Sequence, residues 1–202
     1  MNDTMDTNVK NSKIINFLSQ LEEKKTLSQS NLAKKVLISL GMTNAILKKA
    51  VSKGFVKVKA APYKRYIYYL TKEGFTEKSR LVSEYLDSSL NFFKRAKLAY
   101  QKILNEVKNK NLEIILVGDG DLVDICKLSI IHENLKVSGH LKLTKQNNFR
   151  YIFNNIKKDI DDLAFIIVES KVPQLVFDKL KTSYGAVNIY HPKFLHISNK
   201  IK

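Results

Sequence analysis

The sequence predicts an α+β domain of three helices and a β-hairpin, then one long helix, then a small α/β domain with a parallel sheet. Three observations carry this. Short amphipathic helical segments occupy residues 12–53 and are followed by two strand-like runs. Residues 71–109 keep helical spacing with no Pro and a single early Gly. From about Asn111, short apolar runs alternate with helical stretches, as in sheets built from crossover units. The domains expected are 1–71, 72–110 and 111–202.

Met1–Asn11 is polar and reads as a frayed lead-in. Ser12 is placed to cap a first helix whose apolar residues are Ile14, Ile15, Phe17, Leu18 and Leu21. Ser28–Val36 reads as a short helix with Leu32, Ala33 and Val36 facing inward. Ser39 opens a third helix to about Lys53, with Leu40, Thr43, Ile46, Leu47, Ala50 and Val51 as its inward face. Gly54 stands where a helix C-terminal turn needs a residue free to adopt positive φ. Phe55–Lys59 alternates apolar and basic residues, and Arg65–Thr71 is rich in aromatic and β-branched residues. Ala60–Lys64 forms the turn between them. Three helices and a basic hairpin in this order make a winged helix-turn-helix.

In the long helix, Val82, Leu86, Ser89, Phe93, Ala96, Tyr100, Ile103 and Val107 are spaced alternately by four and three, a heptad seam. Leu81, Tyr85, Leu90, Phe92 and Leu98 form a second apolar stripe. Homodimerisation through this helix is expected, the alternative being packing within its own chain. Beyond it, strands are expected at Leu112–Val117, Leu135–Leu143, Leu163–Val168 and Ala186–Tyr190. Helices are expected at Leu122–His132, Gln146–Ile160 and Pro173–Thr182.

The net charge is +16, and it is unevenly placed: residues 1–110 hold 22 Lys/Arg against 9 Asp/Glu, residues 111–202 hold 13 against 10. The first half is therefore suited to a polyanion, because Lys and Arg displace counterions from phosphates. On the third helix Gly41, Met42, Asn44, Ala45, Lys48, Lys49, Ser52 and Lys53 face outward. Asn44 can pair with adenine and Ala45 can touch a thymine methyl, while Lys48, Lys49 and Lys53 suit phosphates. Lys34 and Lys35 flank this helix, and the hairpin adds Lys57, Lys59, Lys64 and Arg65. Double-stranded DNA is the expected partner.

Leu32-Ala-Lys-Lys-Val36, Ser39-Leu-Gly-Met-Thr-Asn-Ala-Ile-Leu-Lys-Lys49 and Lys53-Gly-Phe-Val-Lys57 resemble MarR-type winged-helix regulators, in particular the small regulators of exopolysaccharide gene clusters. Tyr69-Leu-Thr-Lys-Glu-Gly74 and Glu77-Lys-Ser-Arg80 resemble the end of their wing and the start of their dimerisation helix. The resemblance covers about residues 12–105 and implies a dimeric transcriptional regulator on a pseudo-palindromic operator. One departure is Leu37-Ile38, in a turn that usually contains Gly.

Val117-Gly-Asp-Gly-Asp-Leu-Val-Asp124 resembles the first turn of a Rossmann-like nucleotide domain. Gly118 and Gly120 match its first two glycines, Val123 departs from the third, and Asp119 and Asp121 add charge that repels phosphate. Lys142 falls near the place of the ribose-binding acid. Gly118, Asp119, Gly120 and Lys142 are the candidate cofactor-binding residues, and a small nucleotide or sugar nucleotide is the candidate ligand; a structural turn that binds nothing is the alternative. The cofactor itself is not legible.

No metal-ligand spacing joins His132, His140, His191 and His196, and no nucleophile–base pair is evident, so catalysis is not expected. His140 reads as a packed residue, Cys126 as a buried thiol, and Asp159, Asp161 and Asp162 as a solvated turn. The single cysteine excludes an internal disulfide, and no apolar run is long enough for a membrane span or signal peptide; a cytoplasmic protein is expected. Two other classes remain open: a nucleotide-using enzyme, or an adaptor whose winged helix binds protein or RNA.

Overall fold

The computed structural model describes residues 2–22, 28–61, 65–146, 148–185 and 188–198. The chain divides into two compact units, Met1–Leu90 and Asn91–Lys202.

The first unit begins with α1, Asn2–Glu22. It starts ten residues before the cap expected at Ser12, because nothing between Asn2 and Ser12 breaks a helix: the segment has neither Gly nor Pro. Helix α2, Gln29–Val36, is capped by Ser28, whose hydroxyl accepts from the Asn31 amide. Helix α3, Leu40–Ser52, is capped in the same way by Ser39 on the Met42 amide at 3.2 Å. It closes with Gly54 at φ 74° and a bond from the Phe55 amide to the Ala50 carbonyl. Phe17, Leu18, Leu21, Leu32, Val36, Leu47, Ala50, Val56, Tyr68 and Leu81 form the core of this unit.

The inward face expected on α3 is wider than the real one. Thr43, Leu47 and Ala50 are buried, but Leu40 and Val51 are exposed. The core covers the middle of the helix and leaves both ends in solvent.

Leu37 resolves the unusual turn between α2 and α3. It adopts the left-handed conformation itself, at φ 56°. Its neighbour Ile38 donates to the Ala33 carbonyl, closing the turn as a glycine-based one would. A side chain in this region costs about 1–2 kcal/mol. Glycine removes that cost but loses roughly 0.5–1 kcal/mol in backbone entropy. Leu37→Gly should therefore stabilise the unit by up to about 1 kcal/mol. A denaturation midpoint that falls instead would show that the Leu37 side chain contributes to the fold.

Strands β1, Val56–Ala61, and β2, Arg65–Leu70, pair antiparallel from Val56↔Leu70 to Ala61↔Arg65. Helix α4 follows, Lys72–Asn109. Thr71 fastens its start: the hydroxyl accepts from the Gly74 amide and donates to the Gly54 carbonyl at 2.7 Å. Gly74 lies so close beneath the α3–β1 turn that a Cβ there would sit 2.1 Å from the Phe55 carbonyl oxygen.

The second unit carries the sheet β5-β4-β3-β6-β7, with β3 Glu113–Val117, β4 Val137–Leu143, β5 Phe149–Asn154, β6 Leu163–Ile167 and β7 Ile189–Tyr190. The pairs β3–β4, β3–β6 and β6–β7 are parallel, and β4–β5 is antiparallel. Two expectations are corrected here. The segment 146–160 is not a helix but contains β5, so among the described residues the sheet has five strands, one of them antiparallel. Phe149, Tyr151 and Phe153 alternate with the more exposed Arg150, Ile152 and Asn154, and this period of two fits an edge strand.

Helix α5, Asp121–His132, and the C-terminal part of α4 cover one face of the sheet through Ala96, Tyr100, Leu104, Val107, Ile125, Cys126 and Ile130. Helix α6, Pro173–Tyr184, covers the other through Val176, Phe177 and Leu180. All five residues of β6 are buried, as a central strand covered on both sides requires. Tyr100 donates to the Ile167 carbonyl at 3.1 Å, so its hydroxyl is satisfied inside the core.

The heptad seam of α4 thus splits. Ala96, Tyr100 and Val107 are core residues of the second unit, whereas Leu86, Ser89 and Phe93 are exposed. Of the second stripe, Leu81 is buried while Tyr85, Leu90 and Leu98 are exposed. No helix among the described residues is long and apolar enough to cross a membrane.

Candidate nucleic-acid interface

Helix α3 presents its outer face because Thr43, Leu47 and Ala50 turn the opposite face into the core. Thr43 is fully buried, and its hydroxyl donates to the Ser39 carbonyl at 3.0 Å, which locks the first turn. Gly41, Met42, Ala45, Lys48, Lys49 and Ser52 are all exposed on the outside. Among the described residues, neither Lys48 nor Lys49 forms an ion pair. Both charges are therefore available to an external anion. Lys34 and Lys35, in the last turn of α2, are likewise exposed.

The hairpin places Lys57 and Lys59 two residues apart on β1, hence on one face, and both are exposed. Arg65 occupies the register position opposite Ala61. Lys64 lies outside the described residues. Lys53 differs from its neighbours: its Nζ sits 5.8 Å from the centre of the Phe55 ring, and its charge helps lower the Glu77 carboxyl, after the larger effect of Arg80. Part of its field is thus spent within the unit.

Three helices and an antiparallel hairpin with exposed lysines form a winged helix-turn-helix. Residues 12–57 match the family model of winged helix-turn-helix DNA-binding domains. The match spans α1 from Ser12 through the start of the hairpin, and the second strand completes the wing. No curated protein matches the chain in sequence. Among solved structures, MepR is similar at 14% identity and a TM-score of 0.36, covering 44% of this chain and 75% of MepR; it is described as a transcription regulator of the Staphylococcus aureus multidrug efflux pump MepA. Human N-acetylserotonin methyltransferase, in complex with SAM, is similar at 11% identity and a TM-score of 0.29, covering 90% of this chain and 75% of that one. Both likenesses are loose.

Asn44 is the residue whose surroundings sequence periodicity did not disclose. It is half-buried, and its Oδ1 is sealed from solvent without a hydrogen-bond partner. Bidentate pairing with adenine needs both ends of the amide, so this conformation does not offer it. Periodicity likewise missed the exposure of Leu40 in the winged helix; nothing in the sequence distinguishes it from the buried positions a turn later.

In the second unit the four candidate cofactor residues do come together, at the carboxyl ends of β3 and β4. The strand order reverses on the other side of β3, between β3 and β6. Gly118 has φ 131°, and a Cβ on it would lie 2.5 Å from the Glu169 amide nitrogen. Its missing side chain thus serves a backbone of the same unit. Gly120, at φ 97°, opens α5 onto free space. Lys142 is ion-paired with Asp119. The hydrogen bond from Lys142, followed by one from the Gly120 backbone, holds the Asp119 carboxyl below the usual aspartate range. The repulsive charge seen in the sequence is thereby neutralised, and the lysine is engaged in doing so.

His140 is a packed residue, as expected: it is buried and its Nε2–H donates to the Gly118 carbonyl at 2.9 Å. Cys126 is fully buried, and burial pushes its thiol up to about 12, so it is protonated at neutral pH. Among the described residues no cluster of His, Cys, Asp and Glu is arranged to hold a metal.

Proposed function

We propose that this chain is a dimeric, sequence-specific transcriptional regulator. Residues 1–71 read duplex DNA, 72–110 form the dimerisation helix, and the Rossmann-like 111–202 serve as a ligand-sensing or docking module. The observation that carries the reading is the outer face of α3. Lys48 and Lys49 are exposed there and form no ion pair among the described residues, with Lys34, Lys35, Lys57 and Lys59 exposed nearby in the same unit. Such a set neutralises several phosphates at once. The exposed apolar side chains Tyr85, Leu86 and Leu90 of α4 support dimerisation, since a lone helix has no reason to display them. The resemblance to MarR-type regulators points the same way.

The test is a genome-wide pulldown with the purified chain at two salt concentrations. A few enriched sites sharing a two-fold motif are expected. Salt-sensitive binding without any motif would reduce the chain to a nonspecific basic protein. For the second unit, the proposed place for a small nucleotide or sugar nucleotide is the turn Gly118–Gly120 beside the Asp119–Lys142 pair. Calorimetry with both classes, on wild type and on Lys142→Ala, tests that location.

A further inference from the structure

The entry of α3 is apolar where a DNA-reading helix usually carries hydrogen-bonding side chains. Leu37 is 90% exposed, Leu40 49% and Met42 43%, and Gly41 and Ala45 complete the surface. The polar side chains of this stretch are engaged or turned away from solvent. Ser39 caps the Met42 amide, Thr43 is buried on the Ser39 carbonyl, and the Asn44 Oδ1 is sealed. Leu37 adds a second observation. It holds an unfavourable left-handed conformation while its side chain packs on almost nothing. A residue that costs stability without contributing packing is explained by what it meets outside the chain.

The surrounding lysines define that occupant. A stretch with exposed Lys34 and Lys35 before it and exposed Lys48 and Lys49 further along α3 is complementary to a polyanion, not to an apolar protein surface. In the major groove, the one apolar group that distinguishes a base is the thymine 5-methyl. We infer that the protein reads thymine methyl groups through Leu37, Met42 and Ala45, so that its sites are A·T-rich with thymines at the positions facing the entry of α3. The lysines hold the phosphates and contribute affinity without sequence. This inference rests on the DNA-binding reading above and specifies what that interface selects.

The experiment uses the full chain and three duplexes of equal length: alternating dA/dT, the same duplex with deoxyuridine replacing every thymidine, and alternating dG/dC. Deoxyuridine removes only the methyl. Affinity should fall about fourfold for each contacted methyl, and the dG/dC duplex should bind no better than the deoxyuridine one. The double variant Leu37→Ala/Met42→Ala, at exposed positions, should bind the dA/dT duplex more weakly and lose most of the thymine-over-uracil preference. Equal affinity of wild type for the thymine and uracil duplexes would overturn the inference and leave DNA binding standing. So would a preference that survives intact in the double variant, since the methyl would then act through the DNA alone. Failure to bind any duplex even at low salt would overturn the DNA-binding reading as well.

Discussion

Reversing charge at two neighbouring positions, Lys48→Glu with Lys49→Glu, is expected to remove most duplex binding and leave the protein folded. Both side chains are exposed, and among the described residues neither is ion-paired, so the folded state loses nothing. Surface changes of this kind fall within about 0.5 kcal/mol in stability. Against DNA the change is large, because two attractive contacts become two repulsive ones beside the phosphates. A loss of at least about a hundredfold at physiological salt is expected. The neutral pair Lys48→Gln/Lys49→Gln separates charge from shape: the slope of log affinity against log salt should decrease by roughly 2. An unchanged slope would move the interface away from α3.

The second large effect is on stability. Gly74→Ala would ordinarily favour a helix by roughly 1 kcal/mol. Here the new methyl meets the Phe55 carbonyl oxygen at 2.1 Å and the Leu70 side chain at 2.7 Å, and the first of these is backbone. Relief requires the α3–β1 turn to move off α4, which also disrupts the Thr71 bonds to Gly54 and Gly74. The net cost should reach about 3 kcal/mol, the upper end for an overpacked contact. Chemical denaturation followed by circular dichroism reads it directly. A variant as stable as wild type would mean that the wing and α4 are not seated this closely.

Local signals explain which parts of the fold were legible. Ser28 and Ser39 cap their helices through their own hydroxyls, and Gly54 supplies the left-handed turn; each acts within a few residues. The hairpin showed itself by composition. The segment 146–160 failed because its decisive partner is β4, far from any helix-forming rule: Phe153 pairs with His140 and Tyr151 with Leu141. The α4 seam was visible as a period but not as a destination, since Tyr100 and Val107 are claimed by a sheet that sequence spacing cannot locate. On α3, the exposure of Lys48 and Lys49 was legible because charge on an outward face stays there. The sealing of the Asn44 oxygen and the emergence of Leu40 depend on where the small core ends, which no periodicity encodes.

Cys126 has a use that its chemistry alone does not suggest. It is the only sulfhydryl in the chain, fully enclosed by the second unit, and held protonated there. A thiol reagent therefore reacts only while that unit is open, and its labelling rate is a clock for the opening fluctuation. No probe need be engineered. Because the first unit contributes no cysteine, the clock is silent to events there. Any small molecule that binds the second unit should slow it in proportion to occupancy, giving a screen that requires neither the operator sequence nor a transcription assay.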